Sequence, residues 1–491
     1  MTNVSKSMKC TYKGVMGLLV FALFATPGLA FAALEVSGWI PYWRSERGVN
    51  NILPKLSEFT EVNPFFYTVK QDGTLYPNGS LTDAEWARLK QEVRARNVRF
   101  IPTVMWANAD AMHTVFSDPE KRARHVKSIA QEVYAHGLDG IDIDYEARFA
   151  KTRDFYTLFH QELYEAIGYD KWIMCTLQSR TPLDSRYSSL ESIPTGIEYA
   201  NDFTALNSYC DRIRIMAYDQ GRIDLALNKE KGHPYIPVAD TDWVRKTMEL
   251  IAQEVDRSKL VIGVPTYGYE YDMFDTEDGR YTGSGGLVEY SRLWSFNPGY
   301  ATEVAAKLGL SPTRNSAGEL MLTYPANLSP DPTIPLPHAQ RVMTWSDAEA
   351  IRAKAKLAEE LGLRGIALFK IDDGQDPLLF NVLAEYDDVT QLAKTVDPMA
   401  GVGNIASITL PKRDLEYGMR HEDVRTLQQF LNQEGYTLAS SGGGSPGNET
   451  TFFGPATRAA LSRFQAAHGI RPSVGYYGPI TRATIARLAS R

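Results

Sequence analysis

The chain has 491 residues, of which 44% are hydrophobic, 23% charged and 11% aromatic, with a formal net charge of −7. That composition excludes a disordered, collagen-like or low-complexity chain, and the length sets an expectation of two or three domains. The mean hydropathy of −0.29 excludes a polytopic membrane protein. No Lys/Arg block is present to neutralise phosphates, so no nucleic-acid partner is expected.

The N-terminus carries Lys6, Lys9 and Lys13, then an apolar run from Val15 to Phe24, then Pro27-Gly28 and Ala30-Phe31-Ala32. A charged segment, a short apolar segment and a small-x-small site read as a cleaved signal peptide over residues 1–32. The run falls short of the roughly 20 apolar residues of a membrane span. The expectation is a secreted or cell-wall associated protein, extracellular or periplasmic, with no membrane contact after cleavage. Of the three cysteines, Cys175 and Cys210 then remain, both on apolar strand-like runs. They could pair, but two separate buried small hydrophobes is the favoured reading.

From residue 33 to about 388 short β-rich runs alternate with amphipathic helical patterns. The runs are Leu34–Trp39, Asn63–Val69, Arg99–Trp106, Gly140–Tyr145, Trp172–Leu177, Arg212–Tyr218, Leu260–Tyr267 and Gly365–Ile371. Thr82-Asp-Ala-Glu85 and Ser346-Asp-Ala-Glu349 read as capping boxes, and Gly137 as the stop of a helix begun near Pro119. Eight strands alternating with helices predict an α/β fold, a (β/α)8 TIM barrel. A doubly wound open sheet is the rival, weakened by the lack of a Gly-rich phosphate loop after the first strand. Residues 270–343, rich in Tyr, Gly and Pro, are too long for a structureless loop and predict a small α+β insertion before strand eight. Pro398, Gly401, Gly403 and Pro411 punctuate a linker over 389–412.

Residues 413–491 repeat themselves: Phe452-Phe-Gly-Pro-Ala-Thr-Arg-Ala-Ala-Leu461 matches Tyr476-Tyr-Gly-Pro-Ile-Thr-Arg-Ala-Thr-Ile485. Val424, Leu427 and Leu431 space one apolar helix face, and Thr457, Ala460, Leu461 and Phe464 another. A three-helix domain is expected. The string Val424-x-x-Leu427-Gln428, Phe453-Gly454-x-x-Thr457, Phe464-Gln465, Gly478-x-x-Thr481 resembles the three-helix peptidoglycan-binding domain, with Ser440–Thr450 as an inserted loop.

The sharpest chemical signal is Asp139-Gly-Ile-Asp142-Ile-Asp144-Tyr-Glu146. Alternation on a strand puts Asp142, Asp144 and Glu146 on one face, about 7 Å apart along the strand. Inside a barrel such acids cannot all ionise, so some hold protons at neutral pH, which suits Glu146 at the rim for general-acid work. A solvated acidic strand and a hard-cation site are the competing readings. The isoleucines between the acids argue against the first, and the absence of a calcium-loop pattern or paired histidines against the second. No metal and no cofactor are expected.

This string resembles the signature of glycoside hydrolase family 18, the chitinase-like enzymes. Ile215-Met-Ala-Tyr-Asp219, Ile262-Gly-Val-Pro-Thr-Tyr-Gly268 and Gly365-Ile-Ala-Leu-Phe-Lys-Ile-Asp372 are similar to its strand-six, strand-seven and strand-eight segments. The resemblance implies substrate-assisted retaining hydrolysis. In it Glu146 protonates the glycosidic oxygen, and the sugar's own acetamido oxygen attacks its anomeric carbon. Asp144 holds the acetamido N–H, Asp142 shares a proton with Asp144, and Tyr218 positions the acetamido oxygen. Asp219 and Met216 line the same subsite. The family usually carries Trp where Phe369 stands, and a Ser-x-Gly-Gly stretch where Thr103-Val-Met-Trp106 stands. Trp39, Tyr42, Trp43, Phe66, Trp106, Tyr145, Tyr267 and Tyr269 are rim aromatics by position, either sugar platforms or core. Trp43 and Tyr267 are the better platforms.

Together these readings predict a monomeric glycosidase acting on a β-1,4-linked N-acetylglucosamine polymer, with the C-terminal domain favouring peptidoglycan over chitin. A non-catalytic glycan-binding protein is the alternative, and the presence of Glu146 speaks against it. A wall-associated structural protein, its barrel only positioning the binding domain, is a third reading.

Overall fold

The structure is a computed structural model. It describes residues 34–96, 98–168, 171–275, 288–329, 338–386, 411, 413–439, 443–468, 470, 475–478, 481–482 and 484–485. The expected signal peptide and nearly all of the expected linker fall outside the described residues.

Eight parallel strands close into a barrel. They are β1 (Glu35–Pro41), β2 (Glu61–Val69), β3 (Thr103–Trp106), β4 (Gly140–Tyr145), β5 (Trp172–Gln178), β6 (Arg212–Met216), β7 (Leu260–Pro265) and β8 (Gly365–Phe369). Each pairs with the next, and β1 pairs with both β8 and β2, so no edge is left open. All eight come from the β-rich runs of the sequence. Ile141, Ile143, Ile173, Leu177, Ile213, Ile215, Ile262 and Val264 point outward and are buried under the helices. The residues between them point inward.

The inward face is unusually polar for a barrel, whose interior is ordinarily filled by branched apolar residues. At its base Arg212 donates to Glu35 at 2.6 and 2.8 Å, and Arg364 to Glu35 at 2.7 Å. Arg99 donates to Glu61 at 2.9 Å, and Arg214 pairs with the other Glu61 oxygen. Burial alone would raise both glutamates; the surrounding arginines outweigh it and hold their carboxyls below the usual range.

Two helix starts differ from the sequence reading. The N-caps are Asp83 and Asp347, one residue after the expected Thr82 and Ser346. The Asp347 carboxylate accepts from Ala350 N–H at 3.1 Å, the stronger offer at that helix end. The helix Pro119–Ala135 ends as expected, with Gly137 at φ +55°.

The insertion runs from Gly268 to Trp345, slightly wider than expected. It is a five-stranded antiparallel sheet carrying the helix Pro298–Leu308, with its own apolar cluster around Phe296, Met343 and Trp345. It starts three residues after β7 and ends before the helix Ala348–Glu360 that leads to β8, which places it at the C-terminal ends of the strands.

In the C-terminal segment the helices Glu422–Gln433 and Pro455–Ala467 pack around Val424, Leu427, Leu431, Leu461 and Phe464. Most of the expected third helix lies outside the described residues. The internal repeat has a physical basis in two matching amide clamps. Gln428 donates to Phe452 O (3.0 Å) and Thr457 Oγ1 (2.8 Å) and accepts from Thr450 N–H. Gln465 donates to Tyr476 O (2.7 Å) and Thr481 Oγ1 (2.9 Å) and accepts from Gly475 N–H.

Cys175 and Cys210 form a disulfide, which corrects the expectation of two separate thiols. Cys175 sits on the outward face of β5, and Cys210 lies just before β6, the neighbouring strand, so adjacency brings the sulfurs together. His160 Nδ1 lies 3.5 Å from the Cys175 sulfur. This trio is the one metal-capable cluster of His, Cys, Asp and Glu among the described residues, and its thiols are consumed by the disulfide. No helix among the described residues is long and apolar enough to cross a membrane.

Candidate active site

The carboxylate column of β4 stands on the inward face as its alternation requires. Asp142 is fully buried. Its Oδ2 accepts from Trp39 Nε1 at 2.8 Å and Thr103 Oγ1 at 2.7 Å, and its Oδ1 from Thr176 Oγ1 at 2.8 Å. The Arg214 guanidinium lies 3.2 Å from Oδ2, an ion pair not aligned as a hydrogen bond. Hydrogen-bond donors from β1, β3 and β5 and a cation from β6 thus converge on one carboxylate.

Asp144 is 4% exposed, and its Oδ1 is buried without a hydrogen-bond partner. Burial, then the charges of Glu146 and Asp142, push its carboxyl well above the usual range, against the pull of Arg148 and Arg214. Asp144 thus has one oxygen unsatisfied between two acids, whereas Asp142 has both oxygens engaged by donors. Glu146 is half-buried just past the end of β4, held by its N–H to Trp106 O at 2.7 Å. The next residue, Ala147, has φ +56°, an uncommon conformation for a residue with a Cβ. Burial and the Asp219 charge raise the Glu146 carboxyl, and Arg148 opposes them. A raised carboxyl at the mouth of a cleft can carry a proton to a bound oxygen.

A cleft of about 710 Å³ opens above the column. Asp144, Glu146, Met216, Tyr218, Asp219, Tyr267, Phe369 and Trp43 all line it. The structure thus brings together every residue singled out from the sequence except Asp142, which lies below the floor. Tyr218 stacks on Phe369, with centroids 5.9 Å apart and planes 19° apart. Burial, then the Asp144 charge, keeps its hydroxyl protonated and able to donate. Asp219 adopts φ +57° and accepts from Tyr267 at 2.5 Å and Tyr269 at 3.0 Å. Trp43 is 50% exposed, a flat apolar face turned to the solvent. Phe369 packs edge-on against Trp39 and Phe65, and the peptide bond to Lys370 is cis.

Strand parity sorts the rim aromatics. Trp39, Trp43, Tyr267 and Tyr269 line the cleft. Phe66, Trp106 and Tyr145 face the helices as core, Trp106 packing on Phe116, His125 and Tyr145. Tyr42 stands edge-on to Trp43 at 4.9 Å. Sequence reasoning missed Thr103, Thr176 and Arg214 beneath the column, and Lys370, Asn297 and Asp372 on the wall. Thr103 and Thr176 could have been found from register, because Thr103 and Asp142 are paired, as are Asp144 and Thr176.

Residues 36–374 match the family described as Glycosyl hydrolases family 18. Residues 420–487 match the one described as "Putative peptidoglycan binding domain". Among curated relatives, the chain is 20% identical over 264 residues to the uncharacterized glycosylase YvbX of Bacillus subtilis (strain 168), covering 54% of this chain and 66% of that one. It is 22% identical over 303 residues to the cortical fragment-lytic enzyme of the same organism, covering 60% and 62%. The chain therefore spans just under two thirds of each. Among solved structures, the Bacillus cereus spore cortex-lytic enzyme SleL has a TM-score of 0.54 at 19% identity, over 72% of this chain and 74% of that one.

Proposed function

The chain belongs to glycosyl hydrolases family 18, and from that premise we propose that it hydrolyses β-1,4-linked N-acetylglucosamine polymers, peptidoglycan before chitin, by substrate-assisted retaining catalysis. The observation that carries this reading is the column itself. Two raised carboxyls line the cleft, Glu146 half-buried at its mouth and Asp144 buried between it and Asp142. Glu146 gives its proton to the glycosidic oxygen as the bond to the anomeric carbon breaks. The substrate's acetamido oxygen closes on that carbon to form an oxazolinium ring. Asp144 faces the acetamido N–H and the positive charge that develops there, and the Tyr218 hydroxyl donates to the acetamido oxygen. Water then opens the ring and returns a proton to Glu146. No second carboxylate is needed as nucleophile.

The C-terminal domain supports peptidoglycan, since a tethered wall-binding domain raises the effective concentration of the barrel's polymer. A relative named as a cortical fragment-lytic enzyme points the same way. The disulfide suits an oxidising compartment, and with the N-terminal pattern it supports secretion to the wall or periplasm. The test is to digest purified sacculi and chitin oligomers side by side and identify new reducing ends by mass spectrometry. N-acetylglucosamine ends are expected from sacculi. Glu146→Gln is expected to bind both polymers and to lose turnover by a factor on the order of 10³. Equal rates for variant and parent would overturn the acid assignment. A parent that binds but cleaves neither polymer would establish the glycan-binding alternative.

A further inference from the structure

Arg214 is a cation sealed inside the barrel. It is 2% exposed, it projects from β6 toward β4, and its guanidinium carbon stands 5.2 Å over the Trp39 ring. It bridges two carboxylates of different layers, Glu61 in the base cluster and Asp142 at the foot of the catalytic column. The base cluster has other cations for Glu61, because Arg99 also donates to it. Asp142 has no other cation within ion-pair distance among the described residues; its remaining partners are the neutral donors Trp39, Thr103 and Thr176. One charge therefore decides the electrostatics at the bottom of the column.

We propose that Arg214 is a positioning residue for the reaction, holding Asp142 as an anion and so confining the column's proton to Asp144, directly beneath Glu146. Both oxygens of Asp142 are engaged by donors, and an adjacent cation favours the charged form further. Asp144 has an unpartnered buried oxygen and carboxylates on both sides, so it is the position where a proton costs least. Without the cation the proton is no longer biased between the two aspartates. The deeper one can then take it, and charge would appear on Asp144 next to the acid.

The charged or titratable groups facing this pair are Glu61 from β2, Glu146 and Arg148 just past β4, Tyr156 from the helix Arg153–Ile167, Arg214 from β6, and Tyr218 and Asp219 just past β6. Arg148 is itself buried and placed elsewhere, donating to Asn201 and stacking 3.7 Å over Tyr156. It does not substitute for Arg214 at Asp142.

The test is the pH profile of kcat/KM on purified sacculi for the full-length protein. It rests on the reading of Glu146 as the acid. Arg214→Met removes the positive charge that lowers the Asp144 carboxyl, and the proton can then pass to Asp142, leaving charge on Asp144 beside Glu146, so both limbs are expected to move to higher pH. The expected movement is about one unit, for a charge about 14 Å from Glu146, two strand steps of about 7 Å, at an effective dielectric of about 20. Arg214→Lys keeps the charge and is expected to keep the limbs in place, whatever its rate. A purely structural role would lower activity without moving the profile. Arg214→Met folded, with its limbs where the parent has them, overturns the proposal. So does an Arg214→Lys profile shifted as far as that of Arg214→Met.

If Arg214→Met does not fold, the double variant Arg214→Met/Glu61→Gln leaves no unpaired base and still strips Asp142 of its cation. Unmoved limbs there overturn the proposal equally. If the parent proves inert on sacculi, it is the catalytic reading that has failed. The infrared band of the protonated carboxyl, titrated in the unliganded protein, then tests the role of Arg214 without turnover. An upward movement in Arg214→Met but not in Arg214→Lys upholds the proposal, and identical titrations overturn it.

Discussion

Replacing both Cys175 and Cys210 by Ala removes the one covalent crosslink among the described residues. The two cysteines are 35 residues apart in sequence, and closing a loop of that length restricts the unfolded chain by about 4 kcal/mol. Both side chains are buried, at 0% and 1% exposure, so deleting their sulfurs adds a packing loss in the same direction. The assay is urea unfolding followed by tryptophan fluorescence. All eight tryptophans lie between Trp39 and Trp345, so the signal reports the barrel and its insertion without the C-terminal domain. The expected result is a midpoint lowered by about 4 kcal/mol divided by the m-value. Adding a reductant to the parent should reproduce it. A loss under about 1 kcal/mol, within the range of an ordinary substitution, would refute the loop-closure reasoning.

Two further outcomes follow from named contacts. Asp144 is raised by burial and by its carboxylate neighbours, so the folded state holds a proton that the unfolded state releases. Its contribution to stability therefore falls as pH rises from the ordinary carboxyl range through the raised value. Asp144→Asn should unfold at higher urea than the parent at neutral pH, the advantage shrinking toward about pH 4, while turnover falls; a variant less stable at every pH would contradict this. In the C-terminal domain, Gln428→Ala and Gln465→Ala each remove two side-chain N–H donations and the oxygen that accepts from the Thr450 or Gly475 N–H, a loss of about 2 kcal/mol. Thermal melts of residues 413–491 should show comparable losses for the two, and a cost at only one site would break the equivalence of the repeats.

Much of the site was legible because strand parity is rigid. Once Gly140–Tyr145 is a barrel strand, Asp142 and Asp144 must share the inward face, and Ile141 and Ile143 must face the helices. The same rule separates Trp39, in the cleft, from Trp106 and Tyr145, in the core. Parity does not reach Tyr42 and Trp43, which lie in the helical turn Tyr42–Arg44 after β1. Arg214 was hidden for a different reason. An Arg in an apolar strand reads locally as an unremarkable interruption. Its meaning depends on Glu61 and Asp142, which are 153 and 72 positions away and meet it only when the barrel closes. The disulfide was likewise a matter of strand adjacency, since nothing near Cys175 in sequence identifies Cys210 as its partner. The second helix start slipped by one residue because the Asp347 carboxylate takes the cap from the Ser346 hydroxyl beside it, whereas the Asp83 carboxylate turns back to accept from Ser80 N–H.

The central claim is that the sugar's own amide supplies the nucleophile while Glu146 supplies the proton. The measurement that reaches it most directly compares one glycan with and without its acetyl groups, following release of reducing ends by the parent protein at matched binding. The account predicts cleavage of the acetylated polymer and none at a residue whose 2-amino group has been stripped. Equal rates on the two would contradict it.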